Sequence, residues 1–332
     1  MKQKSRYFLV AAAAVLVLGI GGGLIAYLAY KRASGVPPGV PAEIRYVSAN
    51  AALVGYVNVR RVMSSELRRE LMPTIEMGSR KGRQMMNDFA GVDLEKQVDH
   101  VVGYVEPPGA DASADPKEAA KPPRALMLVQ GTFEQERIEQ FIRDHSGTVE
   151  DYHGHHVSVR RKGPEDVALG FVRPDLLAVG QADLVRRAID SHESSAGETA
   201  NLTKNAELMA LIRDASGSTA WAVGYFDTMS RGMKLPDGLR SQVPPVRLLA
   251  AKADVNGGVK TTIRAEAADD AAAEQLREVV RGFLSLARLN AGARPEFDTA
   301  LKSIQLSGTN KTVQLTFVMS PETMRALAPH PQ

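Results

Sequence analysis

The stretch Tyr7–Tyr30, YFLVAAAAVLVLGIGGGLIAYLAY, constrains every residue that follows it. Its 24 residues carry no charge and no proline. As a helix rising 1.5 Å per residue it reaches about 36 Å, enough to cross a hydrocarbon core of roughly 30 Å with some tilt. Tyr7, Phe8, Tyr27 and Tyr30 sit at its ends, where aromatic rings suit the membrane interface. The expectation is a transmembrane helix that meets the lipid bilayer through residues 7–30. Gly19 and Gly23 are spaced to let two such helices approach closely and form a homodimer, although the glycine enrichment common in membrane helices is the plainer account.

A cleaved signal peptide would have a shorter apolar core and a small-x-small exit. Here the exit reads Ala26-Tyr27-Leu28-Ala29-Tyr30-Lys31-Arg32, without a clean Ala-x-Ala, so an uncleaved anchor is the reading. The chain has no cysteine, which excludes a lipoprotein along with disulfides, thiolate nucleophiles and cysteine-ligated metal. Lys2, Lys4 and Arg6 outnumber Lys31 and Arg32 across the span, so the positive-inside rule keeps the N-terminus in the cytoplasm and exports the body. The localisation expected is therefore the inner membrane, single-pass, with a periplasmic or extracytoplasmic C-terminal region.

The three basic residues before the span also carry the whole formal charge. The chain has 41 Lys+Arg against 38 Asp+Glu, a difference of +3, and these three are the only charges in residues 1–30. The remainder balances at 38 to 38. Nucleic acid is excluded as a partner, since its binders need a basic footprint.

Residues 1–32 thus read as cytoplasmic tip and anchor. Residues 33–43, ASGVPPGVPAE, form a proline-rich linker. The body divides into a first α+β half, 44–195, and a second, 205–328, separated by the small polar run ESSAGETANLTK. Residues 106–124, EPPGADASADPKEAAKPPR, lack apolar periodicity and read as a mobile insertion. Arg60–Arg83 holds seven basic residues on a helical pattern, for which a solvated charged face is a better account than a lipid contact. Asn256-Gly257-Gly258 predicts a tight hairpin. After Asp269 or Asp270 as cap, a helix runs to about Asn290 with an expected buried stripe of Leu276, Val279, Val280, Phe283, Leu284 and Ala287.

Two halves of the body look related. Val54-Gly55-Tyr56-Val57-Asn58 matches Val223-Gly224-Tyr225-Phe226-Asp227, and Glu134–His145 matches Asp269–Asn290, each a helix after a strand. Val102-Gly103-Tyr104-Val105 and Leu169-Gly170-Phe171-Val172 share an apolar-Gly-aromatic-apolar pattern, in which the glycine leaves room for an overlying side chain. Paired strands followed by a helix predict an α+β fold: a duplicated, largely antiparallel sheet with helices on one face.

The sharpest chemical candidate is Tyr152-His153-Gly154-His155-His156. His153, His155 and His156 offer imidazole to zinc, copper or nickel, with Glu150 or Asp151 as an added oxygen ligand. A solvated turn explains them without metal, and no His-Glu-x-x-His helix accompanies them: His192-Glu193 is followed by Ser-Ser-Ala. A Gly-x-Ser-x-Gly elbow, a Ser-x-x-Lys pair and a Gly-x-x-x-x-Gly-Lys loop are absent from the sequence. No catalytic residue and no cofactor is assigned.

The anchor, the Ala-Asn-Ala-Ala-Leu-Val opening at 49–54, Val98-Asp99-His100-Val101-Val102, Ser218–Gly224 and Val255–Gly258 resemble a group of single-pass, membrane-anchored acidobacterial proteins. That group has no established activity, so the resemblance implies an exported α+β domain and no site residues. The function expected is a membrane-tethered, extracytoplasmic, non-enzymatic binding or scaffold protein in an envelope assembly, partnered by another envelope protein. The alternatives are a periplasmic ligand- or lipid-binding module, and a metal-assisted enzyme using the 153–156 histidines.

Overall fold

The structure is a computed structural model, and it describes residues 39–68, 94–107, 123–144, 148–162, 165–194, 200–226, 244–291 and 295–327. The apolar span 7–30 with Gly19 and Gly23, most of the linker, most of the basic stretch 60–83 and most of the insertion 106–124 lie outside these residues. Among the described residues no helix is long and apolar enough to cross a membrane.

A 3-10 turn, Ala42–Tyr46, opens the body. Strand β1 (Leu53–Asn58) runs into α1 (Val59–Met63), and α2 (Leu94–Gln97) leads into β2 (Val98–Glu106) and β3 (Arg124–Gly131). Helix α3 (Gln135–Asp144) is followed by β4 (Thr148–Tyr152), β5 (His155–Lys162), β6 (Glu165–Arg173) and β7 (Leu176–Gln181). Then come α4 (Ala182–Glu193), a 3-10 turn Leu202–Lys204 and α5 (Ala206–Ala215). The rest is β8 (Ala220–Tyr225), β9 (Val246–Val255), β10 (Val259–Ala267), α6 (Asp270–Ala291), α7 (Pro295–Lys302), β11 (Gln305–Ser307), β12 (Thr312–Met319) and α8 (Pro321–Leu327).

Among the described residues twelve strands join one sheet in the order β11-β12-β10-β9-β8-β1-β2-β3-β7-β6-β5-β4. Every pairing is antiparallel. At about 4.8 Å per strand the sheet is roughly 53 Å wide. Its two sides meet at the β1–β8 pair: Leu53 lies opposite Gly224, Val54 opposite Val223 and Gly55 opposite Ala222. With Val54 aligned to Val223 and Gly55 to Gly224, that register is symmetric about the Val54–Val223 pair. The two sides also share a plan. β1-β2-β3 and β8-β9-β10 are meanders, each followed by a helix (α3, α6), and the last strand of each side returns to pair with the third (β7 on β3, β12 on β10).

The α+β class and the large antiparallel sheet follow the sequence reading; the placement of helices does not. They cover both faces. On the first face, Val54, Val102, Tyr104, Leu126, Leu128, Ala178 and Val223 pack under Leu184, Val185 and Ile189 of α4 and Leu208 and Ile212 of α5. On the second, Val57, Val101, Val129, Phe171 and Leu177 meet Val59 of α1 and Ile138 of α3. Ala272, Ala273 and Leu276 of α6 sit on Ala265, Val313 and Leu249. Leu249 lies opposite Gly224, and Gly224 opposite Leu53, which shares a face with Val57, so α6 belongs to the second face. The reason is visible in β2, β3 and β7: strands apolar on both sides cannot leave one side to water.

The stripe expected on α6 is buried at Leu276 alone among its six residues; Val279, Val280, Phe283, Leu284 and Ala287 are half-buried, and Leu289 beyond them is 83% exposed. Asp269 caps this helix, its Oδ1 accepting from the Ala272 N–H at 2.7 Å. The Asn256 hairpin forms with Gly257 at φ 64°.

Ion pairs lock α4 to the sheet. Glu106 is fully buried at the end of β2, and its carboxylate accepts from Arg124 of β3 and from Arg187 of α4 at 3.0 Å. Burial pushes the nearby Tyr104 hydroxyl far above the usual tyrosine range.

The glycines of the strand motif work as close-approach points. A methyl at Gly170 would meet Val185 Cγ1 of α4 at 2.9 Å, and one at Gly224 would meet the Ala52 carbonyl oxygen at 2.5 Å. Backbone yields less than a side-chain tip. Gly224→Ala should therefore cost about 1–3 kcal/mol and Gly170→Ala less, read as shifts in the urea midpoint. An unchanged midpoint for Gly224→Ala would show that the two halves do not meet as described.

Candidate functional site

The histidine turn folds as the glycine demands. His153 and Gly154 take left-handed φ values of 53° and 78°, making the two-residue link between Tyr152 of β4 and His155 of β5. The Asp151 carboxylate accepts from the Gly154 N–H at 3.2 Å, so the candidate oxygen ligand is spent on the turn. Glu150, the other one, accepts from Arg186 of α4 at 2.8 Å.

The period of the strand then separates the imidazoles. Val157 and Val159 lie in the first-face core, so His155 points to that face and His156 to the other. His155 Nδ1 lies 2.8 Å from the Phe171 carbonyl oxygen, and its Nε2 lies 3.0 Å from a Glu193 carboxylate oxygen at the end of α4. Both neighbours are oxygen acceptors, so the two ring nitrogens hold His155 between β6 and the end of α4. His156 meets Glu139 of α3 at 2.9 Å on the opposite side of the sheet. His153, on the turn, has Asp190 of α4 at 3.9 Å, and the Tyr152 hydroxyl donates to the same carboxylate at 2.9 Å. Among the described residues no group of three histidine, aspartate or glutamate side chains converges as a metal site.

What the fold does assemble is a corner around the end of α4. His192 stands edge-on to His155, with ring centroids 6.4 Å apart, and its Nδ1 is 3.2 Å from the hydroxyl of buried Tyr46. That hydroxyl accepts from Arg45 Nη2 at 2.7 Å, so its own proton is directed to His192. Arg173 of β6 donates to Asp175 at 2.9 Å and to Gln130 of β3 at 2.6 Å. The corner ties the β4–β5 hairpin, α4 and the first 3-10 turn together through polar contacts. Sequence reading missed His192 and Tyr46 as members. The available signal was the His192-Glu193 pair ending an amphipathic helix, which was read only as a failed zinc motif.

Charges set the protonation of this corner. Burial holds His192 below the ordinary histidine value; Arg173, Arg45 and His155 press the same way, and Glu193 opposes them. The hydrogen bond from His155 lowers the Glu193 carboxyl.

No protein-family model and no curated protein sequence matches the chain. Two solved structures resemble it, crystal forms III and I of TP0453. Each is 9% identical, covering 89% of this chain and 98% of that one, with TM-scores of 0.49 and 0.43.

The depressed pKa of His192 has a definite sign in stability. The unfolded chain takes up a proton near pH 6.5, whereas the folded one resists it, so acid draws the equilibrium toward unfolding. The stability contributed is present above about pH 6.5 and falls as pH drops below it. Replacement with His192→Gln should flatten that part of the curve, measured by urea titrations from pH 7.5 to 5. A variant whose pH dependence parallels the parent would remove His192 as the cause.

Proposed function

We propose that the chain is a membrane-tethered, extracytoplasmic binding or scaffold protein, non-enzymatic, and part of an envelope assembly with another envelope protein. The observation that carries this reading is the uncharged 24-residue span, joined by a proline-rich spacer to a charge-balanced body. A span of that length holds the body at the bilayer, and three prolines in the spacer stand it off as a semi-rigid link. The three basic residues before the span place the N-terminus in the cytoplasm and the body outside. Gly19 and Gly23 give a face on which two anchors pair as a homodimer.

The body suits such a role by its extent. One sheet roughly 53 Å across offers far more surface than a small substrate needs. Its two sides descend from a duplicated unit; the alignment of Val54 with Val223, and the register symmetric about that pair, support this origin.

Deleting residues 1–32 should move the protein from the membrane fraction to the soluble fraction of the cell. Gentle detergent extraction of the full chain, followed by size separation and mass spectrometry, should find a partner in fixed ratio. Migration alone at the mass of a monomer or dimer would overturn the assembly reading, and a truncated chain that still sediments with membranes would overturn the tether.

A further inference from the structure

The second half has a hollow where α5 crosses the sheet. It is a cavity of about 150 Å³, lined by Glu207, Ala210 and Leu211 of α5, Leu248 of β9, and Arg264 and Glu266 of β10. Its charges are unequally satisfied. Glu207 forms an ion pair with Arg247, and Glu266 lies 3.9 Å from the same guanidinium. Arg264 has no such partner among the described residues, and its Nε is buried without a hydrogen bond. By contrast Arg124, Arg173, Arg186 and Arg187, the half-buried arginines around α4, all pair with carboxylates.

Leaving a partly desolvated guanidinium unpaired costs free energy that an opposite charge offsets. The surroundings of Arg264 are set for a guest to supply it. Ala250 lies directly opposite on β9 and brings no polar group; Gln314 lies opposite on β12 and shares its face, bringing a neutral amide. Leu211 and Leu248 give the hollow an apolar floor. The planar fork of an arginine matches a carboxylate with two parallel hydrogen bonds. A dianion fits worse, because its second charge would meet Glu207 and Glu266, which share one arginine.

We propose that this cavity binds a small organic monocarboxylate, its carboxylate on Arg264 and its short apolar body against Leu211 and Leu248. The site goes beyond the tether-and-scaffold reading and does not depend on it.

The probe is butyrate, titrated calorimetrically into the full-length chain in nonionic detergent, with butylammonium and inorganic phosphate as comparisons. Saturable butyrate binding is expected with a dissociation constant on the order of 1 mM, as suits so few atoms. Arg264→Gln should weaken it at least about tenfold, the scale of one charge-assisted pair. Ala210→Phe, at an exposed position on α5, should block the cavity while keeping Arg264 and the fold. No saturable binding to the parent chain would overturn the proposal, as would binding by either variant as tight as the parent's. Butylammonium binding as tightly as butyrate would leave only an apolar hollow, and phosphate binding as tightly would overturn the carboxylate assignment.

Discussion

The antiparallel pairing of β1 with β8 is the contact on which the rest of this structure depends. Each strand is the first of its own meander, so each has one edge filled from within and the other left open. An open edge is a row of backbone N–H and C=O groups that must find partners or water. Here each half closes the other's edge, and the Asn58 N–H reaches the Thr219 carbonyl while the Tyr225 N–H reaches Ala52 beyond the strand ends. The price of that solution is steric, since the segment before β1 passes so near that Gly224 has no room for a Cβ.

Joining two meanders leaves edges only at the far ends, and both are blunted. β4 is five residues long and carries Glu150 and Asp151. β11 is only three residues long, and where it stops the Ser303 hydroxyl takes over: it accepts from the Val318 N–H at 3.1 Å and donates to the Val318 carbonyl at 2.9 Å. A side chain here stands in for a strand. Short, charged or capped edges restrain a wide sheet from pairing with further copies.

Most of the elements were legible because strands and helices print their period in the chain. Residues 99–105, 125–132, 176–180 and 259–267 read as strands from apolar runs bounded by turn residues, and strands form there with ends within one residue of those bounds; Gly154 and Gly257 mark hairpins that form as well. Face assignment was less legible. A run such as Ala125–Val129 says that a strand is buried on both sides, yet the paired-strand pattern was given helices on one face only. Helix α7 escaped notice because its apolar positions are few. On α6, periodicity showed which residues share a stripe, but not how far the underlying surface extends. The histidine corner shows a further limit. His153, His155 and His156 are adjacent in sequence, but strand alternation and a left-handed turn send them to three different partners. Conversely, His155 and His192 are 37 positions apart and face one another because α4 returns across β5 and β6.

The two sides of the sheet follow one plan to their fourth element and then diverge, and the divergence decides where polar groups gather. The first side adds the β4–β5 hairpin and lays α4 across the first face, with Val185 seated over Gly170. Its buried charges, Glu106 above all, are neutralised by arginines, Arg187 from that helix and Arg124 from β3. The second side ends in α8, whose half-buried Met324 packs near Ala253 and Val259. Ala253 lies opposite Ala220, a second-face residue, so α8 covers the face that α4 does not. The first face of β10 and β12 carries a polar row: Thr262 opposite Thr316, Arg264 opposite Gln314, and Glu266 opposite Thr312. A symmetric plan does not dictate symmetric chemistry. Where the helix is kept, arginines meet buried carboxylates; on the other side Arg264 stands beside a hollow with no ion pair among the described residues.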